Sequence, residues 1–537
     1  MSCRSASMLA VQSAIAAMLL VAAPVGAIPP AGEVDERLDV SESARTEPRY
    51  FPTPEEFTGP GEQAILTAIA QSLADPAAPQ KALPALDEAL GKLQRPSKLR
   101  GVVQFMRSGL LIANNRESDA IDAIEESIRL LPGYSAPLLS AASTYAYANQ
   151  PGKGTDYFLR AAEVDPKGVR KVDDYEVDNL IRRLKVARDD RRARMLSDRL
   201  LEIGWIGSSL RSRSNLARTA IEQRIDDGKI DDAKALIPKL VVPGHSYDLL
   251  MDRKYSAIWP DLEAWAGPRL EGQWATYLRE ARDRWTPSKD VVATRDYLAA
   301  LRAAGHDRTT IRDILPLFDR KLDPVRDNEL QFVVAGVANA LAHEGRWNDV
   351  QALFAKAQAV WPLQQKNPNS LNIAANWASY LLYEGKYEQA LEKMEVALDL
   401  ARQWEVNPDA IGQMYAYRAC ALHQMKRDSE AGVSIAIASA VGFPNDLAYL
   451  HLCTGNRDAA RRALLDGLKS ETGRGRVLAF MQKSSSRAVD SDYGRRLRIE
   501  VDSLKADPEI LAEVQTYGRI LPYSEGDGAP AEASGQR

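Results

Sequence analysis

Cysteine is nearly absent: a chain of 537 residues carries 3. A scaffold stapled by disulfides is excluded, so stability has to come from packed apolar surface. Histidine is scarce as well, with 5, and His245, His306, His343, His423 and His451 fall singly along the chain. An excess of one charge is missing: 69 Lys plus Arg stand against 73 Asp plus Glu. No basic surplus points to nucleic acid. No HExxH, GxSxG or P-loop occurs, and GRGR at 473–476 has no GxGxxG context. A Ser–His–Asp arrangement is spatial and leaves no local mark. We therefore assign no catalytic, cofactor-binding or metal residue and expect no enzyme. Alternating apolar–polar runs are almost absent too, whereas helix-period runs dominate, which makes the fold class all-α.

What is present starts with a targeting signal. Residues 1–27 hold one charge, Arg4, then an apolar run from Met8 to Ala23 and the small-residue end Val25-Gly26-Ala27. This reads as a secretory signal peptide cut near Ala27. The run is short and Ala-rich for a span, which needs about 20 apolar residues; an uncleaved anchor is the alternative. The expected location is periplasmic or secreted. Residues 28–60 are rich in Pro, Glu, Ser and Thr and read as a flexible linker or arm. Residues 522–537 read as a disordered tail.

A period appears between them. Ala120, Ile124 and Ser127 precede Pro132, and Gly154, Phe158 and Ala161 hold the same offsets before Pro166, 34 residues on. Later units carry Leu341, Gly345, Trp347, Val350, Phe354, Ala357 and Pro362, then Leu381, Gly385, Tyr387, Ala390, Met394 and Ala397. A further unit has Ala419, Leu422, Ala431 and Ala438. Small residues let paired helices approach, a large one fills the gap, and proline ends the helix. This resembles the tetratricopeptide repeat, a 34-residue helix–turn–helix unit. The resemblance implies an α-α superhelix, a TPR-like solenoid. It covers N-terminal repeats at 61–170 and C-terminal repeats at 326–475, with C-terminal helices at 476–521. Arg402 stands where the family favours Pro, and the spacings between units vary.

Residues 171–325 are a divergent helical region, solenoid or insert. They hold a basic helix at 182–199 and the tryptophans Trp205, Trp259, Trp265, Trp274 and Trp285. The basic helix reads as a solvated outer face, with a membrane surface as the alternative. The tryptophans read as core, with a sugar-stacking platform as the alternative. Cys420, His423, His451 and Cys453 are the nearest approach to a metal cluster. His451 and Cys453 point apart on a helix, so the default is two small apolar core cysteines; a Cys420–Cys453 pair stays open.

The resemblance also implies a concave groove. In the C-terminal units its positions are Asn339, His343, Asn372, Ser379, Tyr383, Gln413, Cys420, His423 and Gln424, polar and near neutral. These suit an extended peptide backbone, and the basic residues of a carboxylate clamp are missing. In the N-terminal units the positions include Val102, Phe105, Ile112, Ala136, Leu139 and Tyr147. That groove is apolar and is expected to be filled by the arm 28–60 or a partner helix. The function expected is a periplasmic protein–protein interaction scaffold or assembly factor. The alternative is a polysaccharide-export or cell-wall glycan accessory, with glycan or peripheral membrane contact.

Overall fold

A computed structural model describes residues 49–73, 79–207, 209–363, 370–403, 406, 408–483 and 491–532. The targeting segment, its cleavage point near Ala27 and the first part of the arm lie outside the described residues. Every named element among those described is an α- or 3-10 helix, and β pairing is limited to two isolated bridges, Arg49 with Tyr134 and Asp252 with Gly518. The chain divides into two compact units, 1–208 and 209–537. Each is an α-α stack of helix hairpins. No described helix is long and apolar enough to cross a membrane.

One local device builds the hairpins. Asn115, Asn149, Arg188, Gly228, Gly305, Gly345, Gly385, Lys426 and Gly455 all have φ between 55° and 84°. Each is the middle of a three-residue link between two helices. The following N–H reaches back to a carbonyl five residues earlier: Arg116 to Leu111 at 2.9 Å, His306 to Leu301 at 2.8 Å, Arg346 to Leu341 at 2.8 Å. This closes the first helix by satisfying its last carbonyls and turns the chain sharply into the second. Glycine adopts that conformation without a Cβ penalty, and asparagine tolerates it best among the others.

The turn also settles the middle block. It recurs at 188, 228 and 305, joining Asp174–Val186 to Asp190–Glu202, Leu210–Asp226 to Ile230–Leu236, and Val291–Ala303 to Asp307–Asp313. The block is hairpin stack over these spans. It departs from the pattern over 237–288. There the 3-10 turns Ile237–Lys239 and Arg253–Ile258 and the short helices Pro243–Met251 and Trp259–Ala266 lead into a long helix, Glu271–Ser288. The expected boundary at 170 falls inside the first unit, whose last hairpin runs to Glu202.

The stretch 182–199 is corrected from one helix to two. Arg188 is left-handed, and the Asp189 side chain caps the second helix by accepting the Arg192 N–H at 3.1 Å. Two of its arginines are tied to neighbouring residues, while Arg182, Arg188 and Arg191 are exposed. Arg192 bonds Asp156 at 2.9 Å and Asp189 at 2.8 Å, and Arg183 lies 5.3 Å from the Tyr147 ring centre.

The small–large–small pattern does the packing expected of it. Ala120, Ile124 and Ser127 are fully buried, as are Val350, Phe354 and Ala357. At Gly154 a Cβ would come within 2.6 Å of the Ala142 carbonyl, so that approach is too close even for alanine. Pro132 follows its helix and ends it, whereas Pro166 opens a one-turn helix, Pro166–Val169, capped by Asp165.

Candidate functional site

Helices Gln331–His343, Ser370–Tyr383 and Pro408–Gln424 supply the predicted polar groove. Asn372 and Gln413 are exposed there. Ser379 is buried and its hydroxyl donates to the Asn376 carbonyl at 2.7 Å. His343 Nδ1 lies 3.1 Å from Asp307 Oδ2, a tie to the preceding hairpin. His423 Nδ1 lies 2.8 Å from Asp428 Oδ1, a local contact across its own turn. Asn339 bonds the Tyr380 hydroxyl.

The other members are taken by the chain itself. Cys420 is not a groove residue: it forms a disulfide with Cys453, Cα to Cα 5.6 Å, which also overturns the reading as two free core cysteines. Gln424 donates to the Cys453 carbonyl at 3.3 Å and accepts from Arg496 at 3.2 Å. Tyr383 is covered by the start of helix Asp492–Lys505. Its carbonyl accepts from the Ser491 hydroxyl, and its ring centre lies 6.0 Å from that of Tyr493. Tyr493, itself buried, also meets Tyr387 at 6.1 Å. Burial pushes the Tyr380 and Tyr383 hydroxyls up to about 12, and pushes Tyr417 and Tyr493 up as well. The groove is open along Asn372 and Gln413 and closed at Tyr383. Sequence reasoning missed Tyr493 because nothing in a helix beyond the repeats marks it as a cover.

The N-terminal groove is covered too. Arg49 and Tyr50 lie extended on the start of helix Ser135–Tyr147, their carbonyls accepting from Ser135 N at 3.2 Å and Ala136 N at 3.1 Å. The Phe51 ring sits 5.1 Å from Phe105, and Phe57 is buried. Glu56 locks the segment through Lys98 at 2.6 Å, Tyr134 at 2.5 Å and Arg49 at 3.0 Å. Desolvation raises its carboxyl, but hydrogen bonds from Lys98, Tyr134 and the Thr53 N–H hold it at about 2. Residues 49–57 of the expected flexible arm are thus docked, and they cover the apolar groove at Phe105 and Ala136.

A second docked segment was missed by reading the tail as disordered. Residues 518–532 run along Pro243–Met251, Glu271–Ser288, Val291–Ala303 and Asp307–Asp313. Arg519 N donates to the Met251 carbonyl at 2.9 Å, and its guanidinium lies 3.9 Å from the Trp259 ring centre. Tyr247 Oη donates to the Tyr523 carbonyl at 3.0 Å, Trp274 Nε1 to the Glu525 carbonyl at 2.8 Å, and His306 Nε2 lies 2.8 Å from the Pro530 carbonyl. Leu521, Tyr523 and Ser524 are buried. The tail's glycines are contacts, not hinges. A Cβ on Gly526 would come within 2.7 Å of the Ala303 carbonyl, and one on Gly528 would overlap the Arg269 carbonyl.

Glu525 makes this docking pH-dependent. Burial first, then Asp248, raise its carboxyl from an ordinary 4.5 to about 7, while Arg211 and Arg302 oppose the rise. Tyr247 and Tyr277 feel the same carboxylate. A raised docked value means that docking takes up a proton. Its contribution is complete below about 4.5 and is lost as pH rises through 7. Hydrogen exchange over 519–532, corrected for intrinsic rate, is expected to speed up between pH 6 and pH 8. Glu525→Gln should flatten that dependence; an unchanged slope would remove Glu525 as its origin.

The remaining candidates resolve as structure. Trp205, Trp274 and Trp285 are buried, as expected of core, and only Trp265, at 37%, is exposed among the five. A Ser–His pair exists, Ser214 Oγ to His245 Nδ1 at 2.8 Å, but Ser214 is fully buried. Its oxygen accepts the Val241 and Val242 N–H groups, each at 3.1 Å. Burial, with Arg218 and Arg211, lowers His245 to about 3, which keeps it neutral. Among the described residues no group of three or more His, Cys, Asp or Glu could hold a metal.

No family model matches the chain, and no curated protein does. Among solved structures it is similar to the apo form of the quorum sensor NprR from B. thuringiensis, at 11% identity over 83% of this chain and 99% of that one, with a TM-score of 0.33. It is also similar to yeast Tom70, at 13% identity over 85% and 100% of the two chains, TM-score 0.31. A third is the APC/C hetero-tetramer Cut9–Hcn1, at 12% over 78% and 95%, TM-score 0.27. The tetratricopeptide-like fold itself rests on the repeated turn and the small–large–small packing described above.

Proposed function

We propose that this chain, a tetratricopeptide-like stack of helix hairpins, is a periplasmic protein–protein interaction scaffold that holds an extended segment of its partner on a helical face. One observation carries the reading: the chain lays two segments of its own outside the hairpins, 49–57, extended at Arg49 and Tyr50, and the turn-containing 518–532, across its hairpins, bonded in large part through their backbone carbonyls. A surface that accepts one extended backbone through side-chain hydrogen bonds has the chemistry to accept another. The periplasm is supported by the signal-like residues 1–27 and by the Cys420–Cys453 disulfide, since such bonds persist in oxidising compartments.

The test is a photo-crosslinking residue at Asn372 or Gln413, the open groove positions, with exposed Val433 as the control, in the cells that make the protein. One reproducible protein partner is expected from the groove positions and none from Val433. Identical capture at all three, or none at any, would sink the reading.

A further inference from the structure

The second docked segment has three properties that a permanent strap would not need. First, it is recognised by its backbone. Tyr247, Trp274 and His306 all meet its carbonyls, at 3.0, 2.8 and 2.8 Å, so these bonds are blind to its side chains. Second, its apolar anchors end early. Leu521 and Tyr523 are buried, but Asp527 and Pro530 are exposed, and residues 524–532 depend on hydrogen bonds and close backbone approach. Net stabilisation from such hydrogen bonds is only about 0.5–1.5 kcal/mol each, which suits exchange. Third, residues 530–532 lie beside a cleft with more arginine than carboxylate. Pro530 and Ala531 border an open cleft of about 720 Å³ that also carries Arg279, Arg282 and Arg312. Arg312 is paired with Asp313 at 2.6 Å. The Arg279 and Arg282 side chains are exposed and make no hydrogen bond or ion pair among the described residues, although Arg282 helps to lower the Asp313 carboxyl and Asp283 borders the same cleft.

We propose that the surface beneath residues 518–532 is a binding surface for a glycine-bearing segment of a partner protein that turns at its glycines and has acidic side chains just beyond it, and that the chain's own tail is exchanged for that segment. This rests on the scaffold reading and specifies its partner. Size exclusion sets the glycines: at the 526 and 528 positions the Ala303 and Arg269 carbonyls leave no room for a Cβ. Charge sets the flank: guanidinium groups present paired donors that fit carboxylates. The tail itself already brings a carboxylate there: Glu532 accepts the Thr309 N–H beside the cleft, and its charge acts on Arg312. Because the tail is tethered, its effective concentration is on the order of millimolar, and a free competitor enters poorly until the tail is weakened.

The probe is a labelled synthetic peptide with the sequence of residues 521–532, titrated against full-length protein by fluorescence anisotropy. Wild type is expected to bind it weakly. Gly528→Val in the full chain should dislodge the tail and raise peptide affinity about tenfold or more, as relief of intramolecular competition requires. The same peptide carrying Gly528→Val should bind neither protein. A peptide extended by two further glutamates should bind the dislodged chain more tightly than one extended by two lysines. Gly526→Val serves if Gly528→Val changes the far-ultraviolet circular dichroism. No gain in peptide affinity, with the tail shown by hydrogen exchange to be released, would overturn the proposal, and so would a tail that stays protected in both variants. If groove crosslinking at Asn372 still captures a partner in that case, the scaffold reading stands and only this surface falls. If both fail, both fall.

Discussion

Phe354→Ala is expected to destabilise the second unit by about 3–5 kcal/mol, the usual range for deleting a fully buried phenylalanine. Phe354 is the large member of its small–large–small set and has no exposed surface. Its ring lies parallel to Trp377, at 6.0 Å and 7°, and 5.4 Å from Tyr380. Both neighbours are held from other sides. The Trp377 indole donates to Gln351 at 2.6 Å with Lys393 4.4 Å from its ring centre, and the Tyr380 hydroxyl donates to the Ala335 carbonyl at 3.2 Å. Neither can swing into the space left, so the cavity stays open. Urea unfolding followed by circular dichroism checks this. In a stack whose hairpins touch mainly their neighbours, the transition should also broaden, since hairpins near residue 354 melt first. Val433→Ala, at a position 61% exposed, should stay within about 0.5 kcal/mol. A loss below about 1 kcal/mol for Phe354→Ala would show that the core closes over the gap, against the usual cavity cost.

The second large effect is at the disulfide. Cys420 and Cys453 are 33 residues apart and join helix Pro408–Gln424 to helix Pro444–Cys453. Closing a loop of that length in the unfolded chain is worth about 3–4 kcal/mol in the chain-entropy account. The Cys420→Ala/Cys453→Ala variant should therefore lose about that much stability, again on the scale set by loop closure. Hydrogen exchange should place the loss within 408–469 and leave the first unit, including the arm at 49–57, unchanged. A variant as stable as the parent would mean that the bond adds nothing beyond packing. Both sulfurs are buried, at 5% and 7%, so the variant is a cleaner test than added reductant.

These two sites mark the edge of what the sequence makes legible. Phe354 could be read directly, because offset and residue size alone place it between two helices. The repeated turn could be read only in part. Gly345 and Gly385 announce it, but Arg188 and Lys426 take the same left-handed conformation with side chains that carry no such signal. That is why 182–199 reads as one helix and is two. The cysteines carry no pairing signal, since 33 residues of sequence become 5.6 Å only once two hairpins are stacked. The groove residues were legible as positions but not as surface. Tyr383 and Gln424 sit where the repeat frame puts them, yet Tyr493 and Arg496 come from beyond the repeats to cover them. The tail misled for a physical reason. Glycine, serine and aspartate are the composition of disorder. They are also what a backbone needs to lie against other backbones, as Gly526 does against the Ala303 carbonyl.

The tail bears last on how the protein is made. Its bonds join residues 224, 251 and 276 positions apart, in a stack whose other contacts are mostly between neighbouring hairpins. Hairpins of the local kind can close as each leaves the ribosome, because little chain entropy is lost in bringing them together. The helices around Trp274 cannot be finished that way. Their partners in residues 518–532 come much later in the chain, so this stretch stays without its cover for the time it takes to translate some 250 further residues, at about 5–20 residues per second. A binding surface left uncovered through synthesis is one that a partner, or a chaperone, meets before residues 518–532 do.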